Sequence, residues 1–226
     1  MSRYLFPFER RVVWGRRRRA LVLVLVGYLV VRALDGVVYR ALDVGYNKVE
    51  GPGLRDRLAG KDWMEFLRAA GYWPTWLALA LAVGLAGSKR GGGAERARAA
   101  AGLALAPALA GLLAEVMKVV MGRQRPIGNG VAEGAHVFKG FIERFTDPGN
   151  LGLPSSHVAC AFGGAAAVWM FWGRAGWVAV VLASGCGLSR MLLGAHFATD
   201  VYAGAIVGVV AARVVCGVPR KGVLLP

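Results

Sequence analysis

The sequence is poor in the residues that staple a fold or gather a metal. Its three cysteines, Cys160, Cys186 and Cys216, all fall inside apolar segments and none has C-x-x-C spacing. That pattern excludes a disulfide framework and a thiolate zinc site, and leaves the thiols as small apolar fillers. Acidic residues are scarce, with 13 Asp and Glu against 28 Lys and Arg and a formal net charge of +15. No carboxylate cluster suited to magnesium accompanies the basic groups. Also lacking is a polar face on which so much positive charge would gather, because the basic residues stand between runs such as "ALVLVLVGYLVV". A nucleic-acid surface is excluded on that ground, and the charge is read as orienting the chain in a bilayer. The basic N-terminal stretch has no convincing small-residue cleavage site, and the apolar run after it exceeds the roughly 7–15 residues of a signal-peptide core. The first apolar segment is therefore expected to remain as an uncleaved membrane helix.

Apolar length is what the sequence has in quantity. Hydrophobic side chains make up 56% of the 226 residues, and the mean hydropathy is +0.49, above the roughly 45–50% apolar content of soluble domains. A bilayer core of about 30 Å needs about 20 helical residues. Six spans are expected, near 20–43, 72–88, 99–120, 157–173, 176–194 and 197–217. The fold class is all-α, a single polytopic membrane helix bundle over residues 1–226. Glycine and alanine crowd the later spans, as in "AFGGAAAVWMFWG" and "VYAGAIVGVVAA", which permits close helix–helix approach in lipid. Arg10, Arg11 and Arg16 to Arg19 precede the first span, Lys89, Arg90, Arg96 and Arg98 follow the second, Arg174 follows the fourth, and Arg220 and Lys221 close the chain. Six spans put all of these on one side, which the positive-inside rule makes cytoplasmic. The other side holds residues 44–71, about 121–156 and the junction at 194–196; Trp63, Phe66 and Leu67 there stand at helical spacing and predict a short interfacial helix.

Three polar clusters lie at the outward ends of spans. In "KVVMGRQRP", Lys118 and Arg125 are seven residues apart, two helical turns, before Pro126 biases the chain away from helix, so the two cations are expected to point one way from a shared helix face. In "LPSSHVA", Pro154, Ser155 and Ser156 suit a helix start, whose free N–H groups attract anions, and His157 follows. In "SRMLLGAHFATD", Arg190 ends one span, and the i, i+4 spacing of His196 and Asp200 predicts one helix face for both. Ionisable groups at membrane depth are costly and mark function. Three cations beside an amide-lined helix start describe a phosphate site. Two histidines, one backed by a carboxylate, describe nucleophilic and acid–base catalysis. Glu115, three residues before Lys118, is read as an internal partner, and His136 as a solvated loop residue without a partner.

The pattern Lys-x6-Arg-Pro, Pro-Ser-x-His, Ser-Arg-x5-His-x3-Asp over residues 118–200 resembles the type 2 phosphatidic acid phosphatase superfamily. Lys118, Arg125 and Pro126 match the first motif, Pro154, Ser155 and His157 the second, and Ser189, Arg190, His196 and Asp200 the third. Ser156 stands where the family usually has glycine. The resemblance implies a metal-independent, cofactor-free lipid phosphatase at the periplasmic face of a bacterial inner membrane. Within it His196 is the nucleophile that forms a phosphohistidine, Asp200 its orienter and His157 the acid–base group. Lys118, Arg125, Arg190, Ser155 and the backbone near Ser156 hold the phosphoryl oxygens. The implied partners are the bilayer and a phospholipid or lipid pyrophosphate: lipid A phosphates, undecaprenyl pyrophosphate, phosphatidylglycerol phosphate or phosphatidic acid. A lipid phosphotransferase and a non-catalytic lipid-binding or transport protein are the alternatives. In the long outer loop, Phe138, Phe141, Ile142 and Phe145 are expected to dip into headgroups or form a lid, with Lys139 and Arg144 touching an acidic headgroup.

Overall fold

The computed structural model describes residues 7–42, 57–86, 92–126 and 136–217, with side chains from Arg18 onward. Lys89, Arg90, Arg220, Lys221 and residues 43–56 lie outside the described residues. The helices are α1 (Pro7–Ala41), α2 (Asp62–Ala69), α3 (Trp73–Leu85), α4 (Gly93–Met121), the single turn α5 (Glu143–Thr146), α6 (Ser156–Trp172), α7 (Gly176–Leu192) and α8 (Ala198–Cys216). A 3-10 turn, Gly173–Ala175, joins α6 to α7. The expected all-α class is what the described residues adopt.

Four stretches are long and apolar enough to cross a bilayer: Arg18–Ala41, Gly93–Met121, Ser156–Leu192 and Ala198–Cys216. The third turns back on itself at Gly173, so that Trp169 of α6 meets Trp177 of α7 with ring centroids 5.0 Å apart. The 13-residue α3 is apolar but shorter than a full crossing. Helix positions follow the expected spans, with three differences, one being that α4 begins at Gly93, six residues before the expected 99. Helix α1 begins at Pro7, well before residue 20, because arginine is a good helix former and lets a helix run on past its apolar segment. Helix α3 stops at Leu85, short of 88.

Helix α6 is the centre of the bundle, packed against α4, α7 and α8. Its small residues allow this: Ala159, Ala161, Ala165 and Ala167 are completely buried. Closest approach is to α8, where a Cβ added at Gly208 would lie 2.5 Å from the Ala159 carbonyl oxygen and 2.7 Å from the Gly163 nitrogen. Only glycine lets the two backbones touch there. Trp73 Nε1 donates to the Ala104 carbonyl at 2.9 Å, tying α3 to α4. Helix α1 packs chiefly on α8, where the Tyr202 hydroxyl donates to the Val24 carbonyl at 3.1 Å. Its other faces, including Leu21, Val22, Leu23 and Leu25, stay exposed, as suits a lipid-facing helix.

The predicted interfacial helix is α2, which exposes Trp63 and Phe66 and buries Met64. The end of α1, the start of α3, the end of α4, the start of α6, the end of α7 and the start of α8 meet at one end of the bundle. The three polar clusters lie there.

Candidate active site

Lys118 sits one turn from the end of α4 and is buried. Its Nζ donates to Glu115 Oε1 at 2.7 Å and to Ser156 Oγ at 2.9 Å, so Glu115 is the internal partner expected. The helix ends three residues later at Met121, and its cap, Gly122, has a φ of 68°, a left-handed conformation that glycine adopts without strain. Arg125 is therefore not two helical turns beyond Lys118, and the predicted shared helix face does not exist. Arg123 and Gln124 instead form isolated bridges to Phe138 and Leu151, and Arg125 N–H donates to the Asn150 carbonyl and Gln124 N–H to the Val137 carbonyl at 2.9 and 2.8 Å. Arg125 Nε donates to the Leu151 carbonyl at 3.2 Å and the side chain is half-buried.

Helix α6 begins at Ser156 with Ser155 as its cap residue. The Ser155 carbonyl accepts the first helical hydrogen bond, from Ala159 N–H at 2.9 Å, while its own N–H donates to the Asp200 carbonyl at 3.0 Å. Its hydroxyl does not cap the helix; Ser155 Oγ, His157 Nε2 and Arg190 Nε are all buried without a hydrogen-bond partner among the described residues. The His157 ring stands edge-on to Tyr72, centroids 5.1 Å apart.

Helix α8 begins at Ala198, so His196 lies in the turn before it rather than on a helix face with Asp200. The pair meets through the cap: Asp200 Oδ2 accepts the Phe197 N–H at 2.8 Å, which folds the preceding residue back. His196 Nδ1 then lies 3.6 Å from the same oxygen, with both side chains buried. Burial holds the His196 imidazole below its ordinary range, outweighing the opposing pull of Asp200.

All eight residues singled out in the sequence converge. His157 lies within electrostatic reach of Arg190, His196 and Lys118, Lys118 of Arg125 and Asp200, and Arg190 of Arg125. Several neighbours went unforeseen. Arg68 of α2 also acts on His157 and Arg190 and hydrogen-bonds the Tyr72 hydroxyl; no motif marks either residue. Arg123 and Asp35 are buried beside Asp200, and the one signal for Asp35 was an acid inside an apolar span.

Two expectations for the outer loop are corrected. His136 is half-buried, and its Nε2 lies 3.1 Å from Asp35 Oδ2, so it has a partner that sequence distance concealed. Lys139 is buried and donates to Asp147 Oδ2 at 2.5 Å. Arg144 donates to the carbonyls of Lys139 at 3.0 Å and Val120 at 2.6 Å. Both cations hold the loop together instead of facing a headgroup.

Comparison with known proteins adds the family. No curated protein sequence matches the chain. Among solved structures, the chain is similar to a transmembrane PAP2-type phosphatidylglycerolphosphate phosphatase from Bacillus subtilis, with a TM-score of 0.55 and 19% identity over 87% of this chain and 94% of that one. At that identity the likeness is one of fold. The family model of the PAP2 superfamily matches residues 99–222, more than half of the chain and all three polar clusters, and this helical membrane protein belongs to the PAP2 superfamily.

Proposed function

We propose that the protein is a lipid phosphatase that hydrolyses a phosphomonoester or pyrophosphate through a phosphohistidine, at the outward face of a bacterial inner membrane. The observation that carries this reading is the buried His196–Asp200 pair, ringed by Lys118, Arg125, Arg190 and the start of α6. Asp200 faces His196 Nδ1, which leaves Nε2 as the attacking nitrogen. Burial favours the neutral imidazole, the form that carries the lone pair.

In the first step Nε2 bonds to phosphorus as the bond to the lipid oxygen breaks, and His157 gives that oxygen its proton. In the second, His157 takes a proton from water, the water oxygen bonds to phosphorus, and the N–P electron pair returns to His196. Lys118, Arg125, Arg190 and the unpartnered Ser155 hydroxyl, with the first-turn N–H groups that a helix start leaves without intrahelical partners, neutralise the phosphoryl oxygens as charge develops. Three fixed cations supply this charge, which is why the reaction is read as metal-independent.

The test is a panel of lipid A phosphates, undecaprenyl pyrophosphate, phosphatidylglycerol phosphate and phosphatidic acid, assayed for released phosphate with and without a chelator. At least one substrate should turn over in the presence of chelator, and H196A should lose activity by about a thousandfold or more. Full activity in H196A would sink the nucleophile assignment. Loss on chelation would sink metal independence, and a phosphorylated acceptor lipid in place of free phosphate would make the enzyme a phosphotransferase.

A further inference from the structure

The buried charge around Asp200 extends beyond the motif residues. Arg123, 1% exposed, hydrogen-bonds Asp200 Oδ1 through Nη2, and the same nitrogen donates to Thr199 Oγ1 at 2.7 Å. Its Nη1 lies 3.7 Å from Asp35 Oδ2. Asp35, on α1 and also 1% exposed, accepts the Thr199 N–H at 2.9 Å and the Thr199 hydroxyl proton. From the outer loop His136 Nε2 reaches the same carboxylate at 3.1 Å, with Arg32 Nη1 on its other ring nitrogen at 2.6 Å. The Arg123 guanidinium also lies 5.2 Å above the ring of Phe197, whose N–H holds Asp200 Oδ2.

Two buried acids thus share one buried arginine. Uncompensated carboxylates are not tolerated at such burial, and the planar fork of arginine can serve both. The arrangement has two consequences for His196. Arg123 takes Oδ1 and so fixes the rotation of the Asp200 carboxylate, leaving Oδ2 toward His196 Nδ1. Asp35 in turn takes up part of the Arg123 charge, so Asp200 is not fully neutralised and its negative charge remains available to the imidazole as positive charge develops there. We infer that Asp35 and Arg123 are positioning residues that act through Asp200 to keep His196 oriented and its charged form stabilised during reaction. Asp35 lies outside the 99–222 family match, so α1 contributes to the site a residue that the motifs do not contain.

This inference rests on the phosphohistidine reading, and the experiment separates the two. Wild type, H196A, D35N, R123Q and T199V are assayed for kcat and KM on the best lipid of the panel, with a thermal melt of each. D35N keeps the shape of Asp35 and removes its charge; kcat should fall about tenfold with KM within twofold, because the phosphate-holding cations are untouched. R123Q should fall further, and the D35N/R123Q double variant no further than R123Q alone, since the two act through one carboxylate. If D35N does not fold, T199V decides, because it keeps every charge and removes only the bridging hydroxyl; kcat should drop about threefold at unchanged KM. An inactive wild type or an active H196A overturns the phosphatase reading and this inference with it. An active wild type and dead H196A, with folded D35N at wild-type kcat or altered only in KM, overturns this inference alone. If only T199V is folded, wild-type kcat in that variant does the same.

Discussion

Ser156 illustrates how much one side chain at the rim can decide. Glycine usually stands at this position in the family motif, and a serine at a helix start is an ordinary choice. Here its hydroxyl accepts a 2.9 Å hydrogen bond from Lys118 Nζ, while Glu115 takes another of the ammonium protons at 2.7 Å. The lysine is therefore held against α6 from two sides, and its third proton is left to meet a phosphoryl oxygen. In Ser156→Gly the lysine keeps Glu115 alone and swings toward the more exposed carboxylate. The expected result is a three- to tenfold fall in kcat/KM, about 0.7–1.4 kcal/mol of lost transition-state stabilisation, measured on the best lipid of the panel. A change below twofold would show the hydroxyl to be incidental. The residues that come together at the site were legible because phosphate chemistry demands cations, histidines and a carboxylate, and the sequence carries them in three compact clusters. Arg123 and Asp35 were not, because their partnership spans nearly ninety residues of sequence and no local spacing encodes it.

Between elements, small residues set the geometry and spacing arguments succeed only where a helix continues. Apolar runs located the C-terminal ends of the long helices to within a few residues but not the starts of α1 and α4, which run back into basic sequence, and Pro154 with its serines located the start of α6. The two i, i+n readings failed for one reason: each presumed a helix through a segment that the chain uses to leave or enter one. Gly122 ends α4 before Arg125, and the cap at Phe197 begins α8 after His196. The residues still meet, because the bridged segment after Gly122 and the α8 cap deliver them from different directions. Much of the precision of that meeting depends on the α6–α8 contact, since Ser155 N–H bonds the Asp200 carbonyl across it. Gly208→Ala tests this contact. Its new Cβ would fall 2.5 Å from the Ala159 carbonyl oxygen, against backbone that has no side-chain freedom to yield. Overpacking of that kind costs about 1–3 kcal/mol, which should lower the thermal midpoint in detergent and depress activity by moving His157 against His196. Gly93→Ala, where an added Cβ meets nothing within 4 Å, should leave both unchanged. A Gly208→Ala variant that melts with the wild type would mean that the two helices are not seated as closely as described.

Taken whole, the molecule presents its site at one end of the bundle, flanked by two apolar outcrops that no internal packing explains. One is α2, with Trp63 and Phe66 exposed; the other is the loop around α5, where Phe138, Phe141, Ile142 and Phe145 are 52–75% exposed. Phe141 and Phe145 stack edge to face with centroids 5.4 Å apart, while Lys139 and Arg144, which sequence reasoning aimed at the lipid, pin the loop from beneath. Burial divides the loop's side chains: Lys139 and Arg144 are taken up by Asp147 and backbone carbonyls, and the aromatic rings stay exposed. Aromatic rings that enter a headgroup region bring part of their surface out of water. If the loop seats the protein over a lipid phosphate, Phe141→Ser with Phe145→Ser should raise apparent KM for lipid in vesicles about tenfold, some 1.4 kcal/mol, which is less than the full burial of one such side chain. Turnover of a short-chain soluble phosphate ester should stay within twofold, because His196, Asp200 and the three cations are untouched. Equal losses on both substrates would mean that the aromatic pair supports the fold of the loop rather than the lipid, and unchanged KM for both would mean that the loop stands clear of the membrane.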